Sequence, residues 1–133
     1  MHLGFSSPIP PNATPKSTGI GPEYFAYRSN DGNFTGRTTD PTEADVTFYD
    51  KKGFYCIWSD YILRPEVLES NFYAWRITGD TKYLDRAAQA IESFNKYLTA
   101  PVAFAGIEDV NDLESKKVEG MESFWFAEVL KYL

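Results

Sequence analysis

The clearest pattern along the chain is a set of apolar residues at helical spacing in its second half. Leu84, Ala87, Ala88, Ile91, Phe94 and Leu98 recur every three or four positions, which predicts a helix from about Asp80 to Thr99. Pro101 lies just past its end. Upstream, a helix is expected from about Pro65 to Thr78, because proline suits the first helical turn, where its missing N–H costs nothing. Gly79 can close that helix in the left-handed conformation, and Asp80 can cap the next one. The pair reads as helix, tight turn, helix. A loop from Ala100 to Glu119 follows, with a short extended part at Val102-Ala103-Phe104. A third helix is expected from about Met121 to Leu133. Met121, Phe124, Trp125, Phe126, Val129, Leu130, Tyr132 and Leu133 point in nearly every direction around its axis, as in a helix buried in a larger body. The pattern is still running at Leu133, so the expectation is a truncated piece of a larger fold.

The first 60 residues show no such period and read as mostly loop. Six of the eight prolines fall there, among many Gly, Ser, Thr and Asn residues. Tyr24-Phe25-Ala26-Tyr27 and Thr47-Phe48-Tyr49 are expected as brief strands. So long a structureless stretch is unusual inside a compact domain, and it suggests a segment that wraps over something larger.

Composition narrows the partners. Net charge is −6, which argues against nucleic acid, since phosphate binding wants clustered Lys and Arg. No apolar run reaches membrane-spanning length, and the N-terminus has no signal-peptide core. The aromatic fraction of 17% supplies core area, and clustered rings also line sugar-binding clefts. The lone Cys56 cannot form an internal disulfide and reads as a small buried hydrophobe. Two glycosylation sequons, Asn12-Ala13-Thr14 and Asn33-Phe34-Thr35, are weak pointers to a secretory protein.

In the expected first helix, Glu66, Glu69, Tyr73 and Arg76 share one arc, opposite Leu68, Phe72 and Trp75. Two carboxylates one turn apart can bind a cation, a water or sugar hydroxyls. They can equally be an exposed acidic face that complements the helix dipole. In the third helix, Glu122 and Glu128 sit among apolar neighbours, and a buried carboxylate needs a partner. Phe124 and Glu128 would project side by side, as a ring and an acid do in carbohydrate sites; the alternative is an ion pair of the acid with Arg64 or Lys131. Other chemistries find little support. The single His2 excludes a His-based triad, zinc lacks ligands, and Gly19-Ile20-Gly21 is too short for a phosphate loop. Carboxylates and aromatics remain, the equipment of glycoside hydrolysis.

Leu63-Arg64-Pro65-Glu66, Glu69-Ser70 and Arg76-Ile77-Thr78-Gly79-Asp80-Thr81-Lys82-Tyr83 resemble a signature of family 47 glycoside hydrolases, the class I α-1,2-mannosidases. Met121-Glu122-Ser123-Phe124-Trp125-Phe126-Ala127-Glu128 with Leu130-Lys131-Tyr132-Leu133 is similar to the family's next signature. Thr18-Gly19-Ile20-Gly21-Pro22-Glu23 and the loop from Gly106 to Asn111 resemble further family segments. The flavour of the match is fungal. The resemblance implies a mainly α chain: the last hairpins of an (α/α)₇ barrel over residues 61–133, behind a loop-rich segment over 1–60, the whole being a C-terminal portion of a catalytic domain. It implies inverting, calcium-dependent hydrolysis of terminal α-1,2-linked mannose on mannose-rich N-glycans, in the endoplasmic reticulum or Golgi lumen or outside the cell.

Carried over by motif, Glu66 is the general base, Arg64 and Phe124 contact the mannose, and Glu23 touches the glycan further out. Glu69 and Glu128 hold calcium-bound waters or sugar hydroxyls. The family's general acid would lie upstream of this chain and its calcium-binding threonine downstream, with the family's paired cysteines missing. The polypeptide by itself is therefore expected to be inactive and poorly folded. Two other readings are a glycan-binding protein of glycoprotein quality control and a non-functional remnant. A third is another helical-barrel carbohydrate enzyme sharing only the helix–turn–helix unit.

Overall fold

The computed structural model describes residues 17–36 and 40–133. His2 and the Asn12 sequon lie outside the described residues. Strand β1 (Tyr24–Arg28) pairs antiparallel with β2 (Phe34–Thr35) on one side and β3 (Tyr55–Trp58) on the other. Helix α1 (Glu43–Lys52) lies between β2 and β3 in the chain. The described residues of 17–36 and 40–60 therefore hold more regular structure than their composition suggests. β1 falls where a strand is expected, but Thr47-Phe48-Tyr49 is helical, inside α1. That helix fully buries no residue, and both of its ends are capped. The Thr42 hydroxyl accepts from the Asp45 N–H while the Asp45 carboxylate accepts from the Thr42 N–H, and Gly53 closes the other end at φ 79°.

The helical hairpin is as expected. α2 (Glu66–Thr78) ends at Gly79, φ 69°, and α3 (Lys82–Tyr97) packs back against it. Asp80 accepts the Lys82 N–H at 3.0 Å, satisfying one free donor of the new helix. The buried face of α3 is Ala90, Phe94 and Tyr97, with Leu98 beyond. Leu84, Ala88 and Ile91 of the expected stripe are exposed. After α3, Thr99 and Phe104 form an isolated bridge around an exposed turn at Val102, and β4 (Gly106–Ile107) pairs with β5 (Lys117–Val118).

The last segment departs most from its expectation. A π-helical turn, Trp125–Val129, leads into the short α4 (Leu130–Tyr132). Trp125, Val129 and Tyr132 face the core, where Trp125 meets Phe94 and Phe104 at ring-centroid distances of 5.6 and 4.8 Å. Glu122, Phe126, Glu128, Leu130 and Leu133 are exposed, Phe126 by 60%. The burial expected for Glu122 and Glu128 is absent because only one face of this segment packs. Among the described residues no helix is long and apolar enough to cross a membrane. Cys56 is half-buried in β3 rather than fully enclosed.

Candidate active site

The chain enters α2 through a locked turn. Tyr61 exchanges backbone hydrogen bonds with Ile107 at 2.9 and 3.0 Å, and the Val110 N–H donates to the Ser59 carbonyl at 2.7 Å. A Cβ on Gly106 would lie 2.5 Å from the Tyr61 carbonyl oxygen, so only glycine lets these two backbones meet. Leu63, with its side chain buried, holds φ at 70°. That conformation costs a leucine roughly 1–2 kcal/mol. It persists because the core grips the side chain and Tyr61 Oη donates to the Arg64 carbonyl at 2.9 Å. Burial pushes the Tyr61 phenol up, so it stays protonated and keeps that bond.

This turn presents Arg64 and Glu66 outward on either side of the buried Pro65. The Arg64 guanidinium has three neighbours. Nε donates to Glu23 Oε2 at 2.6 Å, Nη1 lies 3.6 Å from Glu66 Oε1, and the group sits over the Phe124 ring, 5.9 Å from its centroid. The Glu66 side chain is 61% exposed, in the first turn of α2, where the helix dipole favours a carboxylate. Glu23, Tyr24, Tyr61, Arg64, Glu66 and Phe94 line a cavity of about 350 Å³, within the range of small-ligand sites.

Glu23, the residue expected to touch the glycan further out, is largely enclosed. Its side chain is 3% exposed, and both oxygens are engaged, Oε1 by the Ile62 N–H at 2.7 Å and Oε2 by Arg64. Burial raises its pKa above the ordinary value, and the Ile62 and Arg64 bonds offset this only in part. Glu23 thus orients Arg64 from beneath.

The expected arc on α2 is present. Glu66, Tyr73 and Arg76 are exposed and Glu69 half-buried, while Leu68 is buried and Phe72 and Trp75 half-buried. Glu69 Oε1 accepts from Tyr132 Oη at 3.1 Å. Burial and the Glu69 carboxylate push the Tyr132 phenol up to about 12, so it remains the donor. Glu128 is exposed on the π-helical turn, and Arg64, the alternative ion-pair partner, pairs with Glu23 and Glu66 instead, keeping further N–H donors open. Calcium takes about 6–8 oxygen ligands. No group of three or more His, Cys, Asp or Glu among the described residues is placed to hold a metal. With so few acidic side chains converging, the described residues do not by themselves make a calcium site.

An arginine, an open carboxylate and a ring gathered at a helix N-terminus suit a neutral, hydroxyl-rich ligand. A sequence profile described as "Glycosyl hydrolase family 47" matches residues 12–133, a span that includes every element of this site. The chain belongs to glycosyl hydrolase family 47. Its relatives in the family include "Mannosyl-oligosaccharide alpha-1,2-mannosidase 1B" of Emericella nidulans, 41% identical over 116 residues, which are 86% of this chain and 21% of the relative. The protein of the same name from Aspergillus phoenicis matches at the same identity and coverage. Among solved structures, "alpha-1,2-mannosidase from Trichoderma reesei" superposes with a TM-score of 0.74 at 42% identity, covering 86% of this chain and 23% of that one. The chain spans about a fifth of the length of the curated relatives it matches.

Proposed function

We infer that this chain forms one side of the active site of a mannosyl-oligosaccharide α-1,2-mannosidase, and that α2 and α3 are a hairpin of its (α/α)₇ barrel. The observation that carries the reading is the buried Glu23 holding Arg64 between Glu66 and Phe124. Phe124 offers an apolar face to one side of a mannose ring, and the free donors of Arg64 bind its hydroxyls. Glu66 takes a proton from a water as that water's oxygen bonds to the anomeric carbon and the glycosidic bond breaks. For inversion, a second carboxyl group acts as acid on the far side of the sugar, about 6.5–9.5 Å from the base. The motifs assign Glu66 to the base role and no described carboxylate to the acid. The substrate is a mannose-rich N-glycan in the secretory lumen. Calcium, which the family resemblance implies, would need ligands additional to those described.

Two measurements test the reading. In a complete enzyme carrying this segment, Glu66→Gln lowers turnover of an α-1,2-linked mannose substrate by at least about 10²-fold, the scale of a general base, while glycan binding is largely kept. Near-normal turnover removes Glu66 from the base role. The 133-residue chain assayed alone, with and without calcium, releases no mannose; robust release overturns the need for a second carboxylate from elsewhere.

A further inference from the structure

Asn33 lies in the turn that joins β1 to β2, and its side chain is exposed. The turn is tightly organised. The Ser29 N–H donates to the Asn33 carbonyl and the Gly32 N–H to the Ser29 carbonyl, both at 2.9 Å. Asp31 accepts from the Ser29 hydroxyl and from both the backbone and side-chain N–H groups of Asn33. Phe34 points the other way, as alternation along a strand requires. Its ring packs 5.3 Å from Tyr49 and 5.4 Å from Tyr55, with Arg28 over it at 4.6 Å. Thr35 returns to the side of Asn33, and its hydroxyl donates to the Tyr27 carbonyl at 3.1 Å. Gly32, next to Asn33, has φ 86°, and a Cβ there would meet nothing within 4 Å.

We propose that Asn33 is an N-glycosylation site of this protein. Asn33-Phe34-Thr35 supplies the acceptor triplet, and the fold sets its asparagine in open space with the intervening phenylalanine as anchor. In the transfer, Asn33 Nδ2 bonds to the anomeric carbon of a lipid-diphosphate-linked oligosaccharide. The bond from that carbon to the diphosphate oxygen breaks, the electron pair leaves with the diphosphate, and one amide proton is lost to the transferring enzyme. The product amide keeps one N–H, so the 3.0 Å bond to Asp31 Oδ2 can survive modification. β1 separates the site from the cavity at Glu23 and Tyr24 by a five-residue strand, on the order of 17 Å, which leaves the cavity open. This modification shares with the proposed function only the placement in the secretory lumen and does not need hydrolase activity.

The test is secretion of the full chain behind a cleavable leader in a eukaryotic host, on an Asn12→Gln background so that one sequon remains. Intracellular and secreted material are both digested and the Asn33 peptide is read by mass spectrometry. The expected result is a peptide carrying a hexosamine-based glycan, released by an amidase that converts Asn33 to aspartate. The glycan is absent in Asn33→Gln and Thr35→Ala and kept in Thr35→Ser. Transfer precedes folding, so a poorly folding variant still reports; the exposed turn is what lets the glycan remain when the chain folds. Recovery of unmodified Asn33 from leader-cleaved chain overturns the proposal, as does a glycan that persists in Thr35→Ala.

Discussion

Helices α1 and α2 are of similar length and are held by different means. α1 fully buries no residue; besides the reciprocal Thr42–Asp45 cap and Gly53, ring contacts of Phe48 with Phe54 and of Tyr49 with Phe34 tie it to its neighbours. α2 has no side-chain cap at its start; it lays Leu68 into the core with Phe72 packed against it, and turns Glu66, Tyr73 and Arg76 to solvent. A helix fixed mainly by its ends does not order one face against a core. One fixed by a face has the opposite face free, and the candidate site sits at its N-terminus.

Three measurements probe this contrast. Leu68→Ala removes the buried anchor of α2, and a loss of about 2–5 kcal/mol is expected, read as a lower denaturant midpoint at unchanged slope. A loss below about 1 kcal/mol would mean that α2 is not held by its buried face. Thr42→Ala breaks the cap of α1 and is expected to cost about 1 kcal/mol. Its effect on amide hydrogen exchange should be confined to α1; equal acceleration through α2 would erase the distinction. The smallest effect belongs to Glu23, at the entry to α2. Its folded pKa is raised by burial. Between the ordinary glutamate value and that raised value, the folded chain holds a proton the unfolded chain has released. Stability therefore falls as pH rises through that window. In Glu23→Gln that contribution to the slope disappears; an unchanged slope in the variant would show that Glu23 titrates alike in both states.

The same contrast explains what is legible in the sequence. The polar arc of α2 and the Gly79 turn can be read because a core-facing helix repeats its apolar residues with its own period. α1 reads as loop and strand because it fully buries no residue, although its two end signals, the Thr42–Asp45 box and Gly53, stand in the sequence. Glu122 and Glu128 read as buried because their neighbours are apolar, yet composition does not say which side packs. Trp125, Val129 and Tyr132, spaced four and three apart, carry that information. Two features have no local signal. Glu23 and Arg64 are 41 positions apart, and nothing about a leucine announces the left-handed turn at Leu63.

Gly106 shows how far such a site extends. It touches no group assigned to chemistry, yet a single methyl there would collide with the Tyr61 carbonyl, and the hydroxyl of the same tyrosine steadies the Arg64 backbone. An alanine at that hairpin would act as a lever, moving the guanidinium without replacing any residue that lines the cavity. Mutational maps that score residues by nearness to substrate would pass over it.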